Sequence, residues 1–371
     1  HRELSLLGLL LIAIGTGGIK PCVSAFGGDQ FRLPEQEKQL ATFFSIFYFS
    51  INLGSVASSY LTPILKKDVQ CLDSTTCYPL AFGVPSILMI FATVIFIMGK
   101  SFYIMSKPGR NIILEVINCV KHAVAEKLRI GKHEKKGHWL DYANDKFDET
   151  LISDIKAVMG VLHMFLPVPI FWALYDQQTS RWIAQAESMN GQLGSYYLLP
   201  EQMQALNPFL VLMFIPVFDY VIYPVLTKLG LLTKPLQRLG AGGILAAIAF
   251  IVSAMVELKV ENGKVLELTP ANTIHILWQL PQIIIITLAE VMFSITGLQF
   301  AFTQAPISMK SVVASLWLLT TAFGNVIVAI VAESHLFKSQ VYELLLFAGL
   351  MLADMIFFIF LAVRYKYKTF N

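Results

Sequence analysis

Long apolar stretches recur along nearly the whole chain. As helices, each is long enough to cross a hydrocarbon core of about 30 Å, which takes about 20 residues. They read at residues 4–26, 40–65, 80–104, 157–176, 203–226, 236–256, 274–302, 312–332 and 342–363, nine in all. Composition agrees, since 56% of the 371 residues are hydrophobic and 14% charged, against roughly 25% charged in soluble domains. The expectation is an all-α membrane protein with nine crossings.

Nine crossings place the two ends on opposite faces, and Lys/Arg bias decides which face is which. With the amino terminus outside, the inner segments hold 20 Lys and Arg and the outer segments 7. The net charge of +3 is therefore sorted by side rather than pooled in a patch, and nothing points to nucleic acid. No charged lead-in to a short apolar run reads as a signal peptide. The one long hydrophilic stretch, residues 106–156, separates three crossings from six. In it Ile112, Ile113, Val116, Ile117, Val120, Val124 and Leu128 recur at helical spacing opposite Glu115, Lys121, Glu126 and Lys127. That pattern predicts an amphipathic helix on the inner surface, followed by a short helix over 139–155, the whole serving as a tether.

Cys71 and Cys77 share the expected outer loop 66–78, where oxidising conditions allow either a disulfide or two free thiols; spacing alone fixes no geometry. Cys22 falls in a crossing and Cys119 inside. The sequence contains no metal-ligand pattern and no Ser/His/Asp constellation or paired catalytic aspartates, so neither a cofactor nor an enzyme is expected.

Glu290 lies inside the apolar run 274–302, too far from either end for its carboxylate to reach water. An ionisable group near the bilayer centre costs roughly 2.5–3.5 kcal/mol on insertion scales and by default marks a substrate or ion path. In the first crossing, Gly15, Gly17, Gly18 and Pro21 weaken the helix around Lys20. Such breaks are tolerated beside a water-filled cavity, although Lys20 is also near enough to the inner end to snorkel. Tyr48 and Asn52, four apart, project from one helix face toward either a ligand or a neighbouring helix. Pro167, Pro169, Pro208, Pro216, Pro224 and Pro281 mark breaks in the later crossings.

The stretches Gly15 to Phe31 and Phe43 to Ser55 resemble the two signature segments of the proton-coupled oligopeptide transporter family, within the major facilitator superfamily. The resemblance continues through Phe171-Trp172-Ala173-Leu174-Tyr175-Asp176-Gln177-Gln178, Ala289-Glu290-Val291-Met292-Phe293-Ser294 and Gln304-Ala305-Pro306, while Gly137-His138-Trp139-Leu140-Asp141 resembles animal members. The family fold has twelve helices in two bundles of six. The resemblance thus implies residues 1–105 as the end of the first bundle (family helices 4–6), 106–156 as the cytoplasmic linker and 157–371 as the second bundle, with the first three helices lacking. Only a short outer loop, 257–271, stands where animal members carry a large extracellular domain.

By the same resemblance Lys20 attracts a peptide's carboxylate, and Glu290 meets its amino group or exchanges a proton. Asn52 and Asn207 hold peptide backbone groups, and Tyr48, Trp172, Gln178 and Trp317 line the pocket. Asp219 resembles a proton-coupling aspartate that pairs, in animal members, with an arginine at the position held here by Gly160. It is therefore left protonated, facing water or paired with another group such as His163. The implied function is proton-coupled symport of di- and tripeptides by alternating access, in a multi-pass protein of the plasma membrane. Its partners are peptides, protons and the lipid bilayer. A carrier of nitrate, histidine or another peptide-like solute, or a truncated receptor or scaffold that binds peptide without moving it, are the competing expectations.

Overall fold

The computed structural model describes residues 2–32, 35–67, 69–71, 77–105, 111–130, 136–265, 274–334, 337 and 339–368. Helices dominate it. The chain opens with α1 (Arg2–Gly28), α2 (Glu37–Lys67) and α3 (Tyr78–Met98), followed by the linker helix α4 (Ile112–Ile130). Beyond the linker lie α5 (Glu149–Phe165), α6 (Val168–Tyr175), α7 (Arg181–Glu187), α8 (Leu206–Val217), α9 (Tyr223–Lys228) and α10 (Pro235–Val265). The chain ends with α11 (Leu280–Glu290), α12 (Thr296–Thr303), α13 (Lys310–Glu333) and α14 (Gln340–Arg364). A two-residue hairpin, β1 (Gln192–Leu193) with β2 (Tyr196–Tyr197), is the sheet formed among the described residues.

Among those residues seven helices are long and apolar enough to cross a membrane, or eight if the bent pair α5 and α6–α7 counts as one span. By that measure the expected nine are not reached. The crossing expected at 40–65 is present as the 31-residue α2, but Ser50, Asn52, Ser55, Ser58, Ser59 and Thr62 dilute its apolar character. The crossing expected at 157–176 begins earlier, at Glu149, and bends by 44° between Phe165 and Val168. Pro167 and Pro169 account for the bend, because each removes a backbone donor and clashes with the preceding turn. The expected loop 257–271 is shortened from its start: α10 runs on to Val265, and residues 266–271 lie outside the described residues.

The core sits among the helices that follow the linker. Phe171, Phe250, Phe293, Phe300, Phe347 and Phe358 are fully buried there. Helix α14 lies along α10, where Gly243 faces Met351 and Met355 so closely that a Cβ would collide with the Met355 sulfur. Gly242, on the same helix, lets Ala289 and Phe293 approach in the same way; small residues commonly allow such approach in membrane bundles. This presses α10 onto the segment that carries Glu290. Helices α1 and α2 meet the later ones through α13 and α8, respectively.

The linker is not a loose tether. Cys119 and Ala123 of α4 are fully buried with Leu140 and Ala143 of a 3-10 turn, Trp139–Ala143. This turn stands at the start of the helix expected over 139–155, whose last part, from Glu149, is the beginning of α5. His138 Nδ1 accepts from the Leu140 N–H (3.2 Å), the His138 N–H donates to Asp141 Oδ2 (2.9 Å), and Asp141 pairs with Lys156 of α5. The sequence pattern showed one apolar stripe on α4; the contacts that dock it are long-range and left no periodic signature. Between α2 and α3, Cys71 and Cys77 form a disulfide with Cα atoms 5.2 Å apart.

The hydrogen bond from Lys156 holds the Asp141 carboxyl below the ordinary carboxylate range. Because the folded value is depressed, the pair's contribution is present above the unfolded value near 3.9 and is lost only as pH falls through the lower, folded one. At neutral pH Asp141→Asn should speed amide hydrogen exchange in residues 136–148 while leaving α10 and α14 unchanged. Unaltered exchange in 136–148 would mean that the pair does not hold the linker.

Candidate functional site

Helix α11 ends at Glu290 and runs into a π-helical turn, Val291–Ile295, before resuming as α12. Single π turns inside α-helices are frequent at functional sites, because the extra residue re-aims neighbouring side chains. Glu290 is only 6% exposed. Its carboxylate is held from several helices at once. Tyr48 of α2 donates its hydroxyl to Oε1 (3.1 Å), and Asn207 of α8 donates Nδ2 to Oε2 (2.9 Å). The Tyr175 hydroxyl lies within electrostatic range of the carboxylate.

Asn207, itself buried, is the hub of this cage. Its Oδ1 accepts from Tyr175 Oη (3.1 Å), and its Nδ2 also donates to Thr287 Oγ1 (3.0 Å). Thr287 stands one turn before Glu290 and donates on to the Ile283 carbonyl (2.7 Å). A buried carboxylate is tolerable only when its lone pairs meet donors, and here helices from before and after the linker supply them. Asn52 supports the cage indirectly: its Nδ2 donates to the Tyr48 carbonyl (2.8 Å), one turn back on α2.

The other expected site residues fall in different surroundings. Lys20 is exposed on α1, and among the described residues it forms no ion pair with Glu290. An acid within its electrostatic range is Asp176, which is also within range of Glu290 and lies beside Asn325 of α13. Trp317 is buried; its ring fills the space above Gly297 and lies 5.3 Å from Phe165 and 6.3 Å from Trp172. Trp172 packs edge-on to Tyr175 at 5.6 Å, so the two tryptophans form an aromatic floor continuous with the cage. The Trp172 indole N–H is buried with no acceptor among the described residues.

Gln178 faces elsewhere. Its Nε2 donates to the Tyr175 carbonyl (3.1 Å), and the residue lines a small recess with Trp182, Met203 and Gln279. Asp219 sits exposed in a second π turn, Phe218–Ile222. His163 is not its partner, being tied to the Met159 carbonyl of its own helix at 2.6 Å. The cation within electrostatic range of Asp219 is Arg238, which stacks over Tyr223 at 3.9 Å and donates Nε to the Leu232 carbonyl (3.0 Å).

A model of the POT family matches residues 1–342. The chain belongs to that family. "Peptide transporter family 1" of Drosophila melanogaster is 34% identical, over 99% of this chain and 75% of its own length. Solute carrier family 15 member 2 of Mus musculus is 33% identical, over 90% of the chain and 72% of its own length. The alignment to the fly protein runs over 556 positions, more than the chain's 371, so that relative carries stretches with no counterpart here. Among solved structures, an auto-inhibited POT family peptide transporter superimposes with a TM-score of 0.73 at 29% identity, covering 98% of this chain and 78% of the other. A proton-dependent oligopeptide (POT) family transporter gives 0.68 at 30% identity, over 95% of this chain and 78% of that one. These neighbours place the helices in the major facilitator fold.

Because Asn207 satisfies both the carboxylate and the tyrosine, Asn207→Leu should cost about 1–3 kcal/mol of stability. Gln178→Leu, outside the cage, should cost clearly less. Thermal unfolding of the detergent-solubilised variants measures this; equal losses would remove Asn207 from its place as hub.

Proposed function

We propose that the protein is a proton-coupled symporter of di- and tripeptides, working by alternating access in the plasma membrane. In this reading the helices before residue 106 belong to one bundle, those after residue 156 to a second, and residues 106–156 form the cytoplasmic linker. The amino terminus of the chain faces outward and its carboxy terminus the cytoplasm. The observation that carries the reading is the Glu290 carboxylate, buried and bonded at once to Tyr48 before the linker and Asn207 after it.

The physical basis of coupling is that this carboxylate is never left bare in a low-dielectric site. When the two bundles part, Tyr48 is drawn away from Glu290. A peptide ammonium group or a proton then takes its place. Lys20, across the same interface on α1, receives the peptide carboxylate in exchange for its interaction with Asp176. Peptide backbone groups meet Asn52, Asn207 and the unfilled donor of Trp172, while the aromatic floor of Trp172 and Trp317 accepts varied side chains. The relatives named as peptide transporters support this cargo over nitrate or other anions, since a fixed pair of opposite charges suits a zwitterion.

With the protein in proteoliposomes, labelled dipeptide should enter faster under an inward proton gradient, and Glu290→Gln should abolish the gradient-driven component. Uptake indifferent to the gradient in the unmodified protein, or unaffected by the substitution, contradicts the coupling. Lys20→Ala removes a charge-assisted contact of about 1.5–3 kcal/mol, so KM for dipeptides should rise roughly 10- to 100-fold. KM for carboxyl-blocked analogues should hardly change; equal losses for both would argue against a carboxylate contact.

A further inference from the structure

The apolar side of helix α4 is only partly spoken for. Cys119 and Ala123 pack on the turn beside α5. Ile113, Ile117, Val124 and Leu128 are exposed, from 41% at Ile117 to 79% at Leu128. At 3.6 residues per turn these four fall in one stripe. By the same periodicity the exposed Lys121 and Lys127 stand on its two edges. The charges behind it are largely paired among themselves: Arg129 with Glu126 (3.5 Å) and His122 with Asp145 (3.0 Å).

Exposed apolar residues also precede the stripe along the chain. Along α3 and just beyond it, Ile95, Met98, Phe102 and Met105 are exposed, Phe102 at 87%, and the chain reaches the start of α4 only a few residues later. An apolar stripe edged by lysines, with acids turned away, suits a helix lying in the headgroup layer. The charge on its rim selects anionic headgroups, because basic residues at such a surface are attracted to acidic lipids.

We infer that α4 is a lipid-recognition element whose Ile113, Ile117, Val124 and Leu128 stripe seats in the membrane surface while Lys121 and Lys127 bind anionic phospholipid headgroups. Since α4 is docked through Leu140, Ala143 and the Asp141–Lys156 pair onto α5, leaflet charge sets how firmly α5 is held at the membrane. This is independent of cargo and of proton coupling.

Spin labels report the seating directly. In the full chain with Cys22 and Cys119 replaced by alanine, labels are attached at Ile117→Cys, Leu128→Cys and, on the far face, Glu115→Cys. The protein is placed in nanodiscs of phosphatidylcholine with or without phosphatidylglycerol. With phosphatidylglycerol, the labels at 117 and 128 should be accessible to oxygen and shielded from a water-soluble nickel complex, and the label at 115 the reverse. Lys121→Gln or Lys127→Gln should each lower the ratio of seated to free helix roughly fivefold in the anionic discs and change it little in neutral ones. Labels at 117 and 128 as open to nickel as the one at 115 would overturn the inference. So would seating that is equal in both lipids, or spin–spin broadening that places a second copy of the chain on the stripe.

Discussion

The Glu290 carboxylate, held out of water and bonded from both sides of the molecule, is the constraint on which the rest of this structure turns. A charge in such a place is costly unless donors converge on it, and the convergence fixes how α2, α6, α8 and α11 must meet. The π turn after Glu290 and the close approach of α10 through Gly242 both serve that meeting. The Tyr48 hydrogen bond is the part of the cage contributed by the helices before the linker. In the proposed transport cycle it is the contact that acts as a latch.

Around this centre the fold distributes rigid and adaptable material. The aromatic stack of Phe171 on Phe293, with centroids 3.8 Å apart, stiffens the helices behind the cage. Beside it, Asp176 is within electrostatic range of both Lys20 and Glu290, so the two charges expected to grip a ligand are linked through a third. The 3-10 turn Trp139–Ala143 is likewise packed, with Leu140 and Ala143 fully buried against α4 and α5.

Much of this was legible in the sequence because lipid imposes a simple code. Apolar runs of sufficient length gave the helices, and Glu290 stood out because nothing else charged lies near it in its run. Pro167 and Pro169 announced the bend they cause. Where the reading fell short, the information was not local. The serines of α2 bond back to their own helix, as Ser50 and Ser55 do to the carbonyls one turn earlier, so the helix keeps its form without the hydropathy of a fully apolar span. The docking of α4 depends on Leu140 and Lys156, distant in sequence and unmarked by periodicity. Tyr175 and Thr287 took no role in advance. Thr287 was within reach of reasoning, standing three residues before Glu290 on one helix face, whereas the tie between Tyr175 and Asn207 joins two helices and needed coordinates. Gln178 shows the converse, since membership of a motif did not put it in the cage.

The most direct measurement is a double-mutant cycle on unfolding free energy with Tyr48→Phe, Glu290→Gln and the pair. Side chains in contact couple by about 0.5–3 kcal/mol, whereas independent sites add within about 0.5 kcal/mol. A latch between Tyr48 and Glu290 predicts coupling in the first range; additive losses would show that the two helices do not meet through this carboxylate, and the account would fail at its centre.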